Sequence, residues 1–373
     1  MSLYSPIDRI PLSEPWLTDA EQQAVANTIA SGWLSTAAPM VDDFEQAFAT
    51  QFGFPATVST HCGTAALWMA LVASGIQASD EVIVPALSFV ATVNPVCYVG
   101  ATPVFADVDF ETFGLSPATV EPLITPKTKA IIATHLYGFG CDIVGLRALA
   151  DAYHLTLIED AAEALGTIIE GKPAGSFGQF GAFSFNGNKT LTTGSGGMLV
   201  GQNSDEIARI KRLTTQAKIF THGELDHFAV GYNTRLSAIP ASLGLVQLQR
   251  FPDLLQRRIA IANRYAQAFD GWFRGCPPPQ NGITQEPSYW LSTLRLPNPE
   301  KRLALLAQLG ELGIEARPIF KPLPFTQAYQ PMVGQLHFPV AEKLWQEHIN
   351  LPSSGTLSQA QQEKVIEAVK RYW

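Results

Sequence analysis

Lys189 follows an apolar run, Gly181-Ala182-Phe183-Ser184-Phe185, and precedes a small-residue loop, Thr192-Thr193-Gly194-Ser195-Gly196-Gly197. A strand that delivers one amine to such a loop suits covalent chemistry. A lysine amine forms a Schiff base with an aldehyde cofactor, and a lowered pKa frees the nucleophile. Upstream, Ile158-Glu159-Asp160-Ala161-Ala162-Glu163 ends a second apolar run in carboxylates. An aspartate can hold a pyridinium nitrogen protonated. The lysine and the aspartate together point to pyridoxal phosphate. Asp160 also suits a helix N-cap after a strand, and Glu163, a turn further on, suits either the cofactor's hydroxyl edge or a cap.

Such a cofactor also needs a phosphate cradle and a flat contact for its ring. Cys62-Gly63-Thr64-Ala65-Ala66-Leu67 offers the cradle. Gly63 lets the backbone approach an anion, a helix starting there points free N–H groups at it, and Thr64 adds a hydroxyl. Ser184 offers a second hydroxyl. Phe89, in Ala86-Leu87-Ser88-Phe89-Val90, is the candidate for one ring face, with a plain core role as the alternative. Ala162 is small enough for the other face. Gly194-Ser195-Gly196 lacks the spacing of a hydrolase nucleophile elbow.

The elements that must position these residues alternate between about 55 and 200. Strands are predicted at 81–85, 103–106, 130–134, 155–158, 181–185 and 198–201, and helices at 64–73, 117–123 and 143–152. Short buried strands alternating with helices imply an α/β fold with a mostly parallel sheet covered on both sides. Ligands of such sheets sit at the carboxyl ends of strands, where Asp160 and Lys189 fall. No charge occurs between Glu81 and Asp107, but Pro85, Pro95 and Pro103 interrupt that stretch, which reads as strand, helix, strand rather than a membrane span. Past about 240 the texture changes to long helical patterns at 254–269, 302–312 and 358–372, punctuated by a proline-rich segment at 276–279. The expected organisation is a large domain over 1–245, with an arm at 1–20, and a smaller α+β domain over 246–373.

The 373 residues suffice for two such cores. A net charge of −8 speaks against nonspecific nucleic-acid binding. Cys62, Cys97, Cys141 and Cys276 are widely spaced, with no CxxC pair and no zinc spacing, so no metal is expected and a reduced, cytoplasmic setting is the simple reading. Residues 1–10 lack the pattern of a secretory signal.

As a set, these residues resemble the DegT/DnrJ/EryC1/StrS sugar aminotransferases, of the aspartate-aminotransferase fold (fold type I). The resemblance runs from Ile10-Pro11-Leu12-Ser13 and Ser31-Gly32-Trp33-Leu34-Ser35-Thr36, through the blocks above and His135-Leu136-Tyr137-Gly138. It continues to Gly231-Tyr232-Asn233, Gly313-Ile314-Glu315-Ala316-Arg317-Pro318 and Asn350-Leu351-Pro352-Ser353-Ser354. Phe185-Asn186-Gly187-Asn188-Lys189 and Leu213-Thr214-Thr215-Gln216-Ala217-Lys218 are most similar to enzymes of legionaminic acid and bacillosamine synthesis, then to perosamine synthases. The resemblance implies ping-pong transfer of an amino group, from glutamate, to C4 of a nucleotide-linked 4-keto-6-deoxy sugar. It also implies a homodimer in which Asn233 reaches the neighbour's cofactor phosphate. Trp33, Ser35, Thr36, Asn188, Arg317 and Lys321 are the candidate sugar and nucleotide contacts. Relatives that dehydrate sugars carry histidine at the Schiff-base position, which Lys189 disfavours; the intact Asp160, Ser184 and Lys189 set disfavours a catalytically idle binding protein. C3 amination is the rival chemistry. The chain departs from the family pattern at His61-Cys62, Thr234, Phe320 and Pro324.

Overall fold

The computed structural model describes residues 9–275, 282–334 and 336–372. The segment 276–279, Cys276 and the first eight residues of the 1–20 arm lie outside them. Seven strands form the main sheet: β1 (Ala56–Thr60), β2 (Glu81–Pro85), β3 (Thr102–Ala106), β4 (Thr128–Thr134), β5 (Thr156–Asp160), β6 (Phe180–Ser184) and β7 (Gly197–Gly201). Their order across the sheet is β1-β7-β6-β5-β4-β2-β3, and only β7 runs against the others. The mostly parallel sheet expected from the alternation is therefore present. β1 was not among the expected strands. Its sequence, Ala-Thr-Val-Ser-Thr, gives no apolar run, because its buried Ser59 is satisfied by a carboxylate: the Ser59 N–H and hydroxyl both donate to Glu45 Oε1, at 3.0 and 2.7 Å.

Both faces of the sheet are buried, and the strand period of two divides them. Val82, Val84, Ala130, Ile132, Ile158, Ala182 and Leu199 face one core, shared with helix Gly63–Ala73 and the short helix Asn94–Tyr98. Ile83, Ile131, Ala133, Leu157, Phe183, Met198 and Val200 face the other, covered by helices Pro39–Phe52, Ile143–Ala152 and Ala238–Gln249. In this second core Phe48 meets Phe183 and Phe185 edge-on at 5.4 and 5.7 Å, and Phe44 meets Phe185 at 5.5 Å. Such ring pairs fix β6 and the chain that leaves it towards Lys189. The expected helix at 143–152 is found as such; the one at 117–123 is a single α-turn, Pro117–Val120, followed by a 3-10 turn, Glu121–Leu123, because Pro122 supplies no N–H.

The same alternation sends adjacent carboxylates in opposite directions. Asp160 shares the face of Ile158, whereas Glu159 shares that of Leu157. Glu159 is fully buried there and accepts N–H bonds from Gly175, Phe177 and Gly178 at 2.8, 2.6 and 2.6 Å. His135 Nδ1 accepts from the Cys141 amide, so its Nε2–H donates to Glu159 at 2.8 Å.

A third core lies around a small antiparallel sheet in which His348–Leu351 runs between Ser292–Arg295 and Arg317–Pro318. Helices Phe251–Ala268, Arg302–Glu311 and Gln359–Lys370 pack on it. Ile10 belongs to this core and pairs with Ile314, so the described part of the arm is stitched to the C-terminal elements. The division expected at 245/246 falls inside helix Ala238–Gln249. The charge-free stretch 81–107 is β2, helix Asn94–Tyr98 and β3, and no helix among the described residues is long and apolar enough to cross a membrane.

Candidate active site

A cavity of about 600 Å³ opens where the carboxyl ends of β2, β4 and β5 meet the start of helix Gly63–Ala73 and the edge of the small sheet. Its wall includes Gly63, Thr64, Phe89, Asp160, Glu163, Ser184, Asn188, Lys189, Arg317 and Lys321. Ten residues singled out in the sequence thus converge on one space.

The floor is set by β5 and β6. Asp160 pairs in register with Ala182, and Ser184 lies two residues on, so the carboxylate and the hydroxyl emerge on the same face. Beyond β6 the chain folds back. Phe185 N–H donates to Gly196 O at 2.8 Å and Thr193 N–H to Phe185 O at 2.9 Å, which closes a loop around Lys189. The carbonyl before the lysine is fixed twice: Asn188 O accepts from Ser13 Oγ at 2.8 Å and from Trp290 Nε1 at 2.9 Å. Lys189 Nζ then lies 3.5 Å from Glu163 Oε1 and 3.7 Å from the centre of the Trp290 ring.

Burial governs the charges. It pulls the Lys189 amine below the usual lysine range, with Glu163 and Asp160 opposing. It pushes Asp160 above the usual carboxylate range, with the Thr92 hydroxyl and the Ala162 amide opposing. Thr92 Oγ1 donates to Asp160 Oδ2 at 2.6 Å and Ala162 N–H to Oδ1 at 3.1 Å. Burial pushes Glu163 up to about 7, against the pull of Lys189. Glu163 Oε2 accepts the Tyr137 N–H at 2.9 Å, a bond aimed by the left-handed backbone of Tyr137 (φ 58°).

At the other end of the floor, Cys62 is the extended residue before the helix, and the N–H groups of Ala65 and Ala66 both reach its carbonyl. The first amides of the helix have no intrahelical partner and lie beside Thr64 and Ser184, a set of donors that suits an anion. A Cβ on Gly63 would stand 2.9 Å from Ser184 Cβ, so glycine alone lets helix and strand approach this closely. Phe89, 52 % exposed, is a wall of the cavity rather than a core residue, and its ring leans on Phe320 with centroids 5.5 Å apart. A buried amine, a carboxylate, an amide-and-hydroxyl cradle and an open aromatic face make a donor set that fits pyridoxal phosphate.

Trp33, Ser35, Thr36 and Asn233 are not brought into this cavity. Trp33, Ser35 and Asn233 are exposed and Thr36 is half-buried. Arg235 donates to Thr36 O at 3.2 Å, and Ala238 N–H donates to Leu34 O at 3.2 Å. Two of the departures from the family pattern are neighbours: His61 N–H donates to the backbone carbonyl of Thr234 at 2.8 Å, and His61 Nδ1 lies 3.1 Å from the same oxygen. Several wall residues were not foreseen, among them Ser88, Thr92, Asn186 and Trp290. The legible signal for the first two was a pair of hydroxyls inside the charge-free stretch 81–107. Trp290 and Asn186 carried no periodic signal of their own.

The sequence matches the DegT/DnrJ/EryC1/StrS aminotransferase family over residues 15–370. The chain belongs to that family. It is a pyridoxal-phosphate-dependent sugar aminotransferase of fold type I. It is 37 % identical over 367 residues to GDP-perosamine synthase of Caulobacter vibrioides, covering 98 % of each chain. It is 33 % identical over 353 residues to the dTDP-3-amino-3,6-dideoxy-alpha-D-galactopyranose transaminase of Aneurinibacillus thermoaerophilus, covering 94 % of each. The PLP form of Spr1654 from Streptococcus pneumoniae superposes with a TM-score of 0.90 at 31 % identity, over 97 % of this chain and 98 % of that one.

The Glu163 carboxyl sets a pH dependence. In the unliganded folded protein it titrates near 7, against 4.5 for an ordinary glutamate. The folded state therefore holds the extra proton between these values, and stability falls as pH rises through that window. Glu163→Gln removes this slope. Denaturant titrations of the unliganded proteins should show the variant gaining on the parent at pH 8 relative to pH 4.5, by about 3 kcal/mol at most. The same difference at both pH values would contradict the assignment.

Proposed function

We propose that this aminotransferase moves an amino group from an amino acid, L-glutamate by family likeness, to C4 of a nucleotide-linked 4-keto-6-deoxy sugar. The observation that carries the reading is one cavity with Lys189, Asp160 and Glu163 on its floor and Arg317 and Lys321 on its wall. That space has room for a cofactor and for a sugar stacked above it. Pyridoxal phosphate, when bound, supplies the aldehyde and the electron-accepting ring. Lys189 is its covalent anchor and, once released, the base and acid that carries a proton between donor carbon and cofactor. Asp160 faces the ring nitrogen, Glu163 the ring hydroxyl and Phe89 the ring face; Gly63, Thr64 and Ser184 hold the phosphate. Arg317 and Lys321, both exposed, meet the pyrophosphate of the nucleotide, and Asn188 turns its amide to the sugar. Residues 1–245 then act as the cofactor lobe and 246–373 as the lobe that closes over the substrate.

C4 transfer is supported by the likeness to GDP-perosamine synthase, and C3 transfer by the likeness to the dTDP-3-amino sugar transaminase. A panel of GDP-, UDP- and dTDP-linked 3-keto and 4-keto sugars, offered with glutamate and followed by mass spectrometry and NMR, separates them. Amine at C4 is the expected product. Amine at C3, or on no sugar, refutes the C4 reading.

The four residues left outside the cavity act in the neighbour's site. Asn233 is exposed, and beside it Val230 is 89 % and Phe220 78 % exposed on and next to the hairpin of Lys218–Thr221 and Glu224–His227. Apolar exposure of this kind marks a surface that another chain covers, and a second copy places Asn233, Trp33, Ser35 and Thr36 against its partner's cavity. Co-expression of Lys189→Ala with Asn233→Ala tests this arrangement. Each variant alone should be inactive, and the mixed dimer should regain activity, because one of its two sites is then intact. No regain, with mixed dimers demonstrated, places Asn233 in its own chain's site.

A further inference from the structure

Asp160 is 5 % exposed, so an ionised carboxylate there needs donors in place of water. The structure provides a chain of them. Thr92, fully buried, donates to Asp160 Oδ2 at 2.6 Å. Its only proton is thereby committed, so Ser88 Oγ, 2.6 Å from Thr92 Oγ1, is the donor to Thr92. Thr134 Oγ1 ends the row at 3.4 Å from Ser88 Oγ. All three hydroxyls are at most 3 % exposed. A hydroxyl row has two polarities. With Asp160 ionised, protons point towards it across two bonds of 2.6 Å. With Asp160 protonated, the row reverses: Asp160 donates to Thr92, Thr92 to Ser88, and Ser88 to Thr134 Oγ1 at 3.4 Å. Only in the first does the Thr92 hydroxyl donate to Asp160 Oδ2, the direction that stabilises a carboxylate's charge.

We propose that Thr92, backed by Ser88, is a positioning residue that keeps Asp160 ionised in its buried site and so fixes the proton on the cofactor's ring nitrogen. This rests on the reading that Asp160 faces that nitrogen. Without the Thr92 hydroxyl the carboxylate becomes the stronger base and draws the proton off the ring. Thr92→Val removes the donor at nearly constant volume, Thr92→Ser keeps it, and Ser88→Ala removes only the second donor.

The test is the nitrogen-15 NMR shift of ring-labelled pyridoxal phosphate bound to each protein, with circular dichroism to confirm folding. The parent and Thr92→Ser should give the shift of a protonated ring nitrogen. Thr92→Val should move it towards that of unprotonated pyridine, and Ser88→Ala should move it less in the same direction. A merely structural Thr92 would lower thermal stability and leave the shift alone. Asp160→Asn is the control: if it moves the shift and Thr92→Val does not, the proposal is overturned; if neither moves it, the reading of Asp160 falls and the proposal with it.

Discussion

A largely buried lysine, its side chain 13 % exposed, beside buried carboxylates is the constraint around which this molecule is built. Charges out of water need compensation, yet complete compensation would leave the amine a stable, unreactive cation. The structure resolves this by division. Asp160 receives two donors of its own, Thr92 and the Ala162 amide, which oppose the upward push of its burial. Glu163 receives one, the Tyr137 amide, and is left near neutrality, sharing Lys189 at a loose 3.5 Å. Lys189 also rests on the Trp290 ring, a contact that favours the cation without committing it to an acid. Every element of the site sits where one of these partners is required.

The period-two alternation of β5 does much of that work. It places Asp160 on the cavity face and sends Glu159 to the opposite core, where it draws together three backbone amides and His135. Two neighbouring acids thus do unrelated things: one lines the cavity and the other anchors the strand end that presents it. The arm and the small sheet complete the site from the far side. Ser13 and Trp290 both grip the carbonyl of Asn188, and Arg258 donates to Trp290 O and Ser353 O, so the C-terminal elements are mechanically continuous with the lysine loop.

Much of this was legible in the sequence, for identifiable reasons. Apolar β-branched runs gave six of the seven strands of the main sheet, and the position of Asp160, Ser184 and Lys189 at strand ends gave the cavity floor. Gly63 was readable because close approach demands glycine. β1 escaped because its burial is polar, resting on Glu45 rather than on an apolar run. Trp290 escaped because it acts from a segment far along the chain, and only folding reveals that its ring lies against the lysine amine. Trp33, Ser35, Thr36 and Asn233 were selected by resemblance, and no local pattern told that they lie outside the cavity.

The central claim is that the buried amine of residue 189 is the one that takes the cofactor's aldehyde. Borohydride reduction of the pyridoxal-phosphate-loaded protein, followed by proteolysis and mass mapping, tests it directly. The account predicts a single reduced adduct on the peptide containing Lys189. An adduct on any other lysine, or none on a protein that binds the cofactor tightly, would contradict it.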